Sequence, residues 1–142
     1  MPLLVEACPS YAERFRRYLA DNYDAGDERL PYCELGDLVS HLCDQLEKRD
    51  TSEFADVFRV VERLHVDGDS YVKEAATIGL LEGIQNVASH CDTISPDQFE
   101  TYLGTVSRRW WHELNAFWQG KRKHLGEGLE KSENEPPAGP AT

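Results

Sequence analysis

No run of about 18 apolar residues occurs in this 142-residue chain, which removes a membrane-spanning helix from consideration. The opening Met1-Pro-Leu-Leu-Val-Glu6 lacks a basic region ahead of an apolar run and a small-residue cleavage site, so a cytoplasmic location is expected. Cysteine is sparse: Cys8, Cys33, Cys43 and Cys91 are too few and too irregularly spaced for a disulfide framework, and reduced thiols are expected. Basic charge is also short, with 15 Lys plus Arg against 26 Asp plus Glu and a formal net charge of -11. That balance opposes nucleic acid and anionic membranes as partners and suits a basic protein. No strand-like alternation survives comparison with the helical patterns, and no catalytic or cofactor motif stands out, so neither sheet, enzyme activity nor cofactor is expected.

What the chain does contain is helical periodicity, most clearly between Asp69 and His90. Val72, Ala76, Gly79, Leu80, Gly83, Ile84 and Val87 recur at three- and four-residue steps and define one continuous face of a central helix. Two glycines inside a helix each cost roughly 1 kcal/mol relative to alanine. Their presence at Gly79 and Gly83 therefore points to a neighbouring helix that approaches the backbone closely.

The other segments organise around that one. Ser10-Tyr-Ala-Glu13 reads as a cap leading into a first helix from about Pro9 to Asn22, and Asp24 to Pro31 reads as a loop. A second helix starts near Tyr32 with the stripe Leu35, Leu38, Val39, Leu42, Cys43 and Leu46. Asp50-Thr-Ser-Glu53 opens a third, with Phe54, Val57, Phe58, Val61 and Leu64 inward, and the short joint Asp67-Gly-Asp69 implies an antiparallel hairpin into the central helix. Ser95-Pro-Asp-Gln98 is the strongest helix start, continued by Phe99, Tyr102, Leu103 and Val106, and Ser107-Arg-Arg opens a last helix carrying Trp110, Trp111, Leu114, Phe117 and Trp118. The predicted architecture is an all-α bundle of about five helices built from antiparallel helical hairpins, similar to a pair of helical repeats. It occupies residues 1–125 as one domain, and residues 126–142, rich in Gly, Glu, Pro and Ala, read as a disordered tail.

Candidate chemistry is thin. His41, Cys43, His90, Cys91 and Asp92 have no metal-ligand spacing, and Cys43 already belongs to a core stripe, so no metal is expected. Glu82 lies among apolar residues, where it reads as a tuned acid or base, a structural partner of Arg59 or Arg63, or a solvent-facing groove residue; the structural reading is preferred. Gln85 and Asn86 read as amides that tie helices together, and the tryptophans as core. The charge distribution is more informative: residues 50–100 hold 11 acids and 3 bases, while 101–126 hold 1 acid and 5 bases. An acidic face therefore centres on the third and central helices, with Asp50, Glu53, Asp56, Asp67, Asp69 and Glu74 outward and Glu82 beside them as partner-binding candidates. The competing reading is a merely solvated face.

Asp67-Gly-Asp69, Ala75-Ala-Thr-Ile-Gly-Leu-Leu-Glu-Gly-Ile-Gln-Asn86, Tyr102-Leu-Gly104 and Ser107-Arg-Arg-Trp-Trp111 through Phe117-Trp118 together resemble a family of small bacterial helical proteins with no established activity. The resemblance covers roughly residues 30–118 and implies an immunity protein, an inhibitor that bacteria carry against polymorphic or contact-delivered toxins. The functional expectation is a protein-binding inhibitor that occludes a cognate, basic toxin domain. The alternative is a regulatory or scaffold module unconnected with toxins.

Overall fold

The computed structural model describes residues 1–119, so residues 120–142, including the expected tail, lie outside the described residues. The described chain is all-α, and no strand occurs among the described residues. Its helices are α1 (Pro2–Ala7), a 3-10 turn (Pro9–Tyr11), α2 (Ala12–Asn22), α3 (Pro31–Glu47) and α4 (Phe54–Asp67). A continuous central rod follows, made of α5 (Ser70–Glu74), a π-helical stretch (Ala75–Glu82) and α6 (Gly83–Ser89), and then α7 (Asp97–Glu100) and α8 (Thr105–Trp118). Five longer elements thus form the bundle, with the short α1 and α7 filling its ends.

The rod is the core. A π turn is wider than an α turn, and Ala75, Ala76, Thr77, Gly79, Leu80 and Leu81 are buried around the stretch rather than along one stripe. α3 packs on one side of the rod, and α4 and α8 also rest against it. The small residues set the distance: a Cβ added at Gly79 would lie 2.6 Å from Leu35 Cδ1, and one at Gly83 would lie 3.3 Å from Val39 Cγ2. These pairings advance together along both helices, so α3 and the rod run in the same direction. α4 carries the chain back between them. It turns at Gly68, whose N–H reaches the Leu64 carbonyl at 3.1 Å, and Asp69 then caps the rod by accepting the Val72 N–H at 2.9 Å.

Three local expectations change. α1 exists although its six residues show no clear period, because Leu4 is buried and the helix packs on α4. The Ser10 to Glu13 box does not form: Ser10 turns to Glu53 and Glu13 pairs with Arg16. The helix begun at Ser95 does use Gln98, whose Oε1 accepts the Ser95 N–H at 2.7 Å, yet it ends at Glu100. Glu62 of α4 accepts the N–H groups of Val106 and Ser107 at 3.0 and 2.9 Å, so α8 starts anew at Thr105 with its exposed amides satisfied from another helix. The same carboxylate crowds Gly104, where an added Cβ would lie 2.5 Å from Glu62 Cδ.

Candidate interaction surface

The seven carboxylates expected on the acidic face fall into separate environments. At the start of α4, Glu53 is turned inward. It accepts the Ser10 N–H at 3.0 Å, the Ser10 hydroxyl, the Gln45 amide at 3.3 Å and the Cys8 thiol at 3.3 Å. Burial works to raise its pKa, but these donors win and hold the carboxyl below its ordinary value. His41 Nε2 and Gln45 Nε2 both reach Ser10 Oγ, at 3.0 and 2.7 Å.

Serine, histidine, glutamate and cysteine in one cluster invite a catalytic reading, but the hydrogen bonds run the wrong way for one. Ser10 gives its proton to Glu53, so His41 and Gln45 act as donors to Ser10 Oγ rather than as a base upon it. Burial raises the Cys8 thiol to about 11, away from a reactive thiolate. The cluster fastens the N-terminal segment to α3 and α4. Nearby, Asp50 is exposed and accepts the Ser52 hydroxyl at 3.0 Å, and Asp56 is exposed and paired with Arg59 at 2.6 Å.

Glu62 and His65 carry the inward face of α4 into its last turn. His65 is 3% exposed, with Nε2 3.0 Å from Thr77 Oγ1 and Nδ1 2.8 Å from Ser107 Oγ. Thr77 gives its own proton to the Lys73 carbonyl, so it accepts from His65 Nε2–H, which leaves Nδ1 to accept from Ser107. Burial lowers the His65 pKa, opposed by the attraction of Glu62, and the ring is held neutral. Glu62 is depressed because the Ser107 and Val106 amides outweigh the burial that raises it.

The far end of α4 is different. Asp67, Asp69 and Glu74 are exposed, and none is in an ion pair among the described residues. Asp69 serves as the rod's cap, and Glu74 accepts the Tyr32 hydroxyl at 3.2 Å. Tyr32 and Tyr71 meet edge to face, with ring centroids 6.3 Å apart, and Tyr71 is 52% exposed. Val66 at the end of α4 and Leu30 before α3 are also exposed apolar residues. Two tyrosines and the carboxylate of Glu74 thus share one exposed patch, with Asp69 two residues before Tyr71 in the chain.

Glu82 sits apart, half-buried at the end of the π stretch, and burial raises its pKa. It forms no ion pair with Arg59 or Arg63: Arg59 goes to Asp56 instead. Gln85 does join helices, donating to the Trp111 carbonyl at 3.0 Å, whereas Asn86 is exposed. Trp111 is core, but Trp118 is 56% exposed. Cys43 is in the core and His41 is spent on Ser10, and no group of three or more metal-ligating side chains converges among the described residues. No helix among the described residues is long and apolar enough to cross a membrane.

With this geometry in view, comparison with known families places residues 1–119 within one model, described as a domain of unknown function, DUF7674. The chain belongs to that family. The match extends past residues 30–118 to include α1 and α2, in keeping with the hydrogen bonds that tie the N-terminal segment to Glu53. No curated protein and no solved structure matches the chain.

Sequence reasoning had passed over Tyr32, Tyr71 and Leu30. A signal existed for Tyr71, which falls off the apolar period of the rod between Asp69 and Glu74. Tyr32 had none, since only the packing of α3 alongside the rod brings it to Tyr71.

Proposed function

We propose that this protein is a cytoplasmic protein-binding inhibitor, an immunity protein that occludes a basic toxin domain and performs no catalysis itself. The observation that carries the reading is the exposed Tyr32–Tyr71 pair, with Glu74 accepting from Tyr32 and the exposed Asp67 and Asp69 just ahead of Tyr71, carboxylates that form no ion pair among the described residues. Aromatic rings supply area and rigidity at an interface centre, while surrounding acids steer a basic partner toward it. The net charge of -11 acts in the same direction, and the family resemblance raises the immunity class above other binding roles.

The test is co-expression with the product of the adjacent gene in a sensitive host, followed by co-purification. Rescue of growth together with a stable complex is the expected result. A neighbour that is harmless alone, or toxic but never bound and never neutralised, removes the immunity reading and leaves a regulatory or scaffold module. Within a complex, Asp67→Lys, Asp69→Asn and Glu74→Gln together should slow association and flatten its dependence on salt. Asparagine is chosen at Asp69 because it preserves the cap on Val72 while removing the charge.

A further inference from the structure

We propose that a cleft at the C-terminal end of α3 binds a small zwitterion of the amino-acid class. The cleft has a volume of about 590 Å³ and is lined by Leu46, Glu47, Arg49, Thr51, Thr93 and Gln98. That volume lies within the range of small-molecule sites.

Arg49 is the first reason. Glycine aside, it alone among the described residues has a positive φ, at 59°. Its N–H closes on the Leu46 carbonyl at 2.9 Å and the Asp50 N–H on the Gln45 carbonyl at 2.9 Å, the helix ending at which glycine is the cheap choice. An arginine here bears a backbone cost that its own hydrogen bonds do not require, since glycine would make the same two. Its guanidinium has no ion-pair partner among the described residues, so its charge remains open to the cleft that it lines.

The remaining walls complete a two-ended site. The Gln98 carbonyl oxygen is occupied by the Ser95 N–H, which leaves its NH₂ as a donor, and the Thr51 hydroxyl makes no side-chain hydrogen bond among the described residues. Guanidinium, amide and hydroxyl together suit a carboxylate. Glu47 supplies the opposite charge, its carboxylate held by the Thr93 hydroxyl. Glu47 and Arg49 line the same cleft and form no ion pair with each other. A molecule carrying both an ammonium and a carboxylate meets both ends at once, and Leu46 offers an apolar wall for its side chain.

The experiment titrates the full-length ¹⁵N-labelled protein with L-leucine and with its two single-charge relatives, 4-methylpentanoate and isoamylamine, while following backbone amide shifts. Leucine should saturate shifts at Thr51, Thr93 and Gln98 at millimolar concentrations, and each relative should bind weaker by roughly tenfold or more. Arg49→Gly should abolish the leucine shifts while leaving the melting temperature equal or higher. Glu47→Gln should weaken leucine but leave 4-methylpentanoate unchanged. The proposal is overturned if leucine gives no saturable shift, if 4-methylpentanoate binds equally well, or if Arg49→Gly lowers the melting temperature, which would make Arg49 a structural residue.

Discussion

Both ends of α4 carry acids, but Glu53 at one end is spent inside the fold while Asp67 and Asp69 at the other are left exposed. At the Phe54 end, Glu53 is enclosed by donors from Ser10, Gln45 and Cys8, beside a cluster in which Phe54 stacks on Phe99 at 5.5 Å. At the other, about 20 Å away by helical rise, Asp67 and Asp69 are exposed just ahead of the exposed Tyr71. Glu53 and Glu62 can sit inward because other parts of the chain bring each of them several hydrogen-bond donors. Net charge therefore overstates the acidic face: Glu53 and Glu62 count in the sum, yet they hold the fold together from within.

The strongest way to break this contrast is to disturb the rod on which both ends depend. Gly79→Leu is expected to cost about 3 kcal/mol, because the new side chain meets Leu35 and Tyr32 within the α3 contact. Thermal melting checks it, and an unchanged midpoint would show that the contact is loose. Removal of the inward carboxylates comes next. Glu53→Ala and Glu62→Ala are each expected to cost about 2 kcal/mol by stranding amide donors, whereas Asp67→Ala should leave denaturant midpoints unaltered. Equal losses at Glu53 and Asp67 would erase the distinction between the two ends.

Acidification sharpens the comparison further. The folded state keeps His65 neutral with a lowered pKa, while the unfolded chain takes up a proton near the ordinary value of 6.5. Its stabilising contribution is thus complete above 6.5 and is lost as pH falls below that value. Glu53 and Glu62, both depressed, contribute fully above 4.5 and lose their contribution as pH drops through their folded values. Stability measured against pH should decline in two stages, and His65→Gln should diminish the upper one, leaving the share of His41, whose pKa burial also lowers. The smallest effect is expected at Glu82, where burial disfavours the charge: Glu82→Gln should raise the melting temperature slightly at neutral pH and lose that advantage in acid.

Much of the fold was legible because its causes are local. The stripes of α3 and α4 repeat at the helical period, and their expected inward residues are buried from Leu35 to Val61, with Leu64 half-buried at the end. Gly79 and Gly83 announced a close neighbour, which α3 provides. The acidic surface was legible only as a composition. Asp67, Asp69 and Glu74 lie where the pattern put them, outward at the turn, but Glu53 was counted outward although its donor Ser10 stands 43 residues away. The helix expected from Ser95 through Val106 stops at Glu100 for the same reason, since the last helix, expected from Ser107, begins at Thr105 with its amides held by Glu62, 45 residues before Ser107.

By itself, the sequence determined the helical class, the central rod and the positions at which backbones touch, because hydrophobic period and side-chain size act within a few residues of one another. Only the tertiary structure decided that α3 runs parallel to the rod, that Tyr32 comes to rest against Tyr71, and which carboxylates remain for a partner. Those outcomes depend on groups brought together from distant parts of the chain. Glu53 and Glu62 are held within the fold by donors from distant segments, whereas Asp67 meets none of these and stays in water.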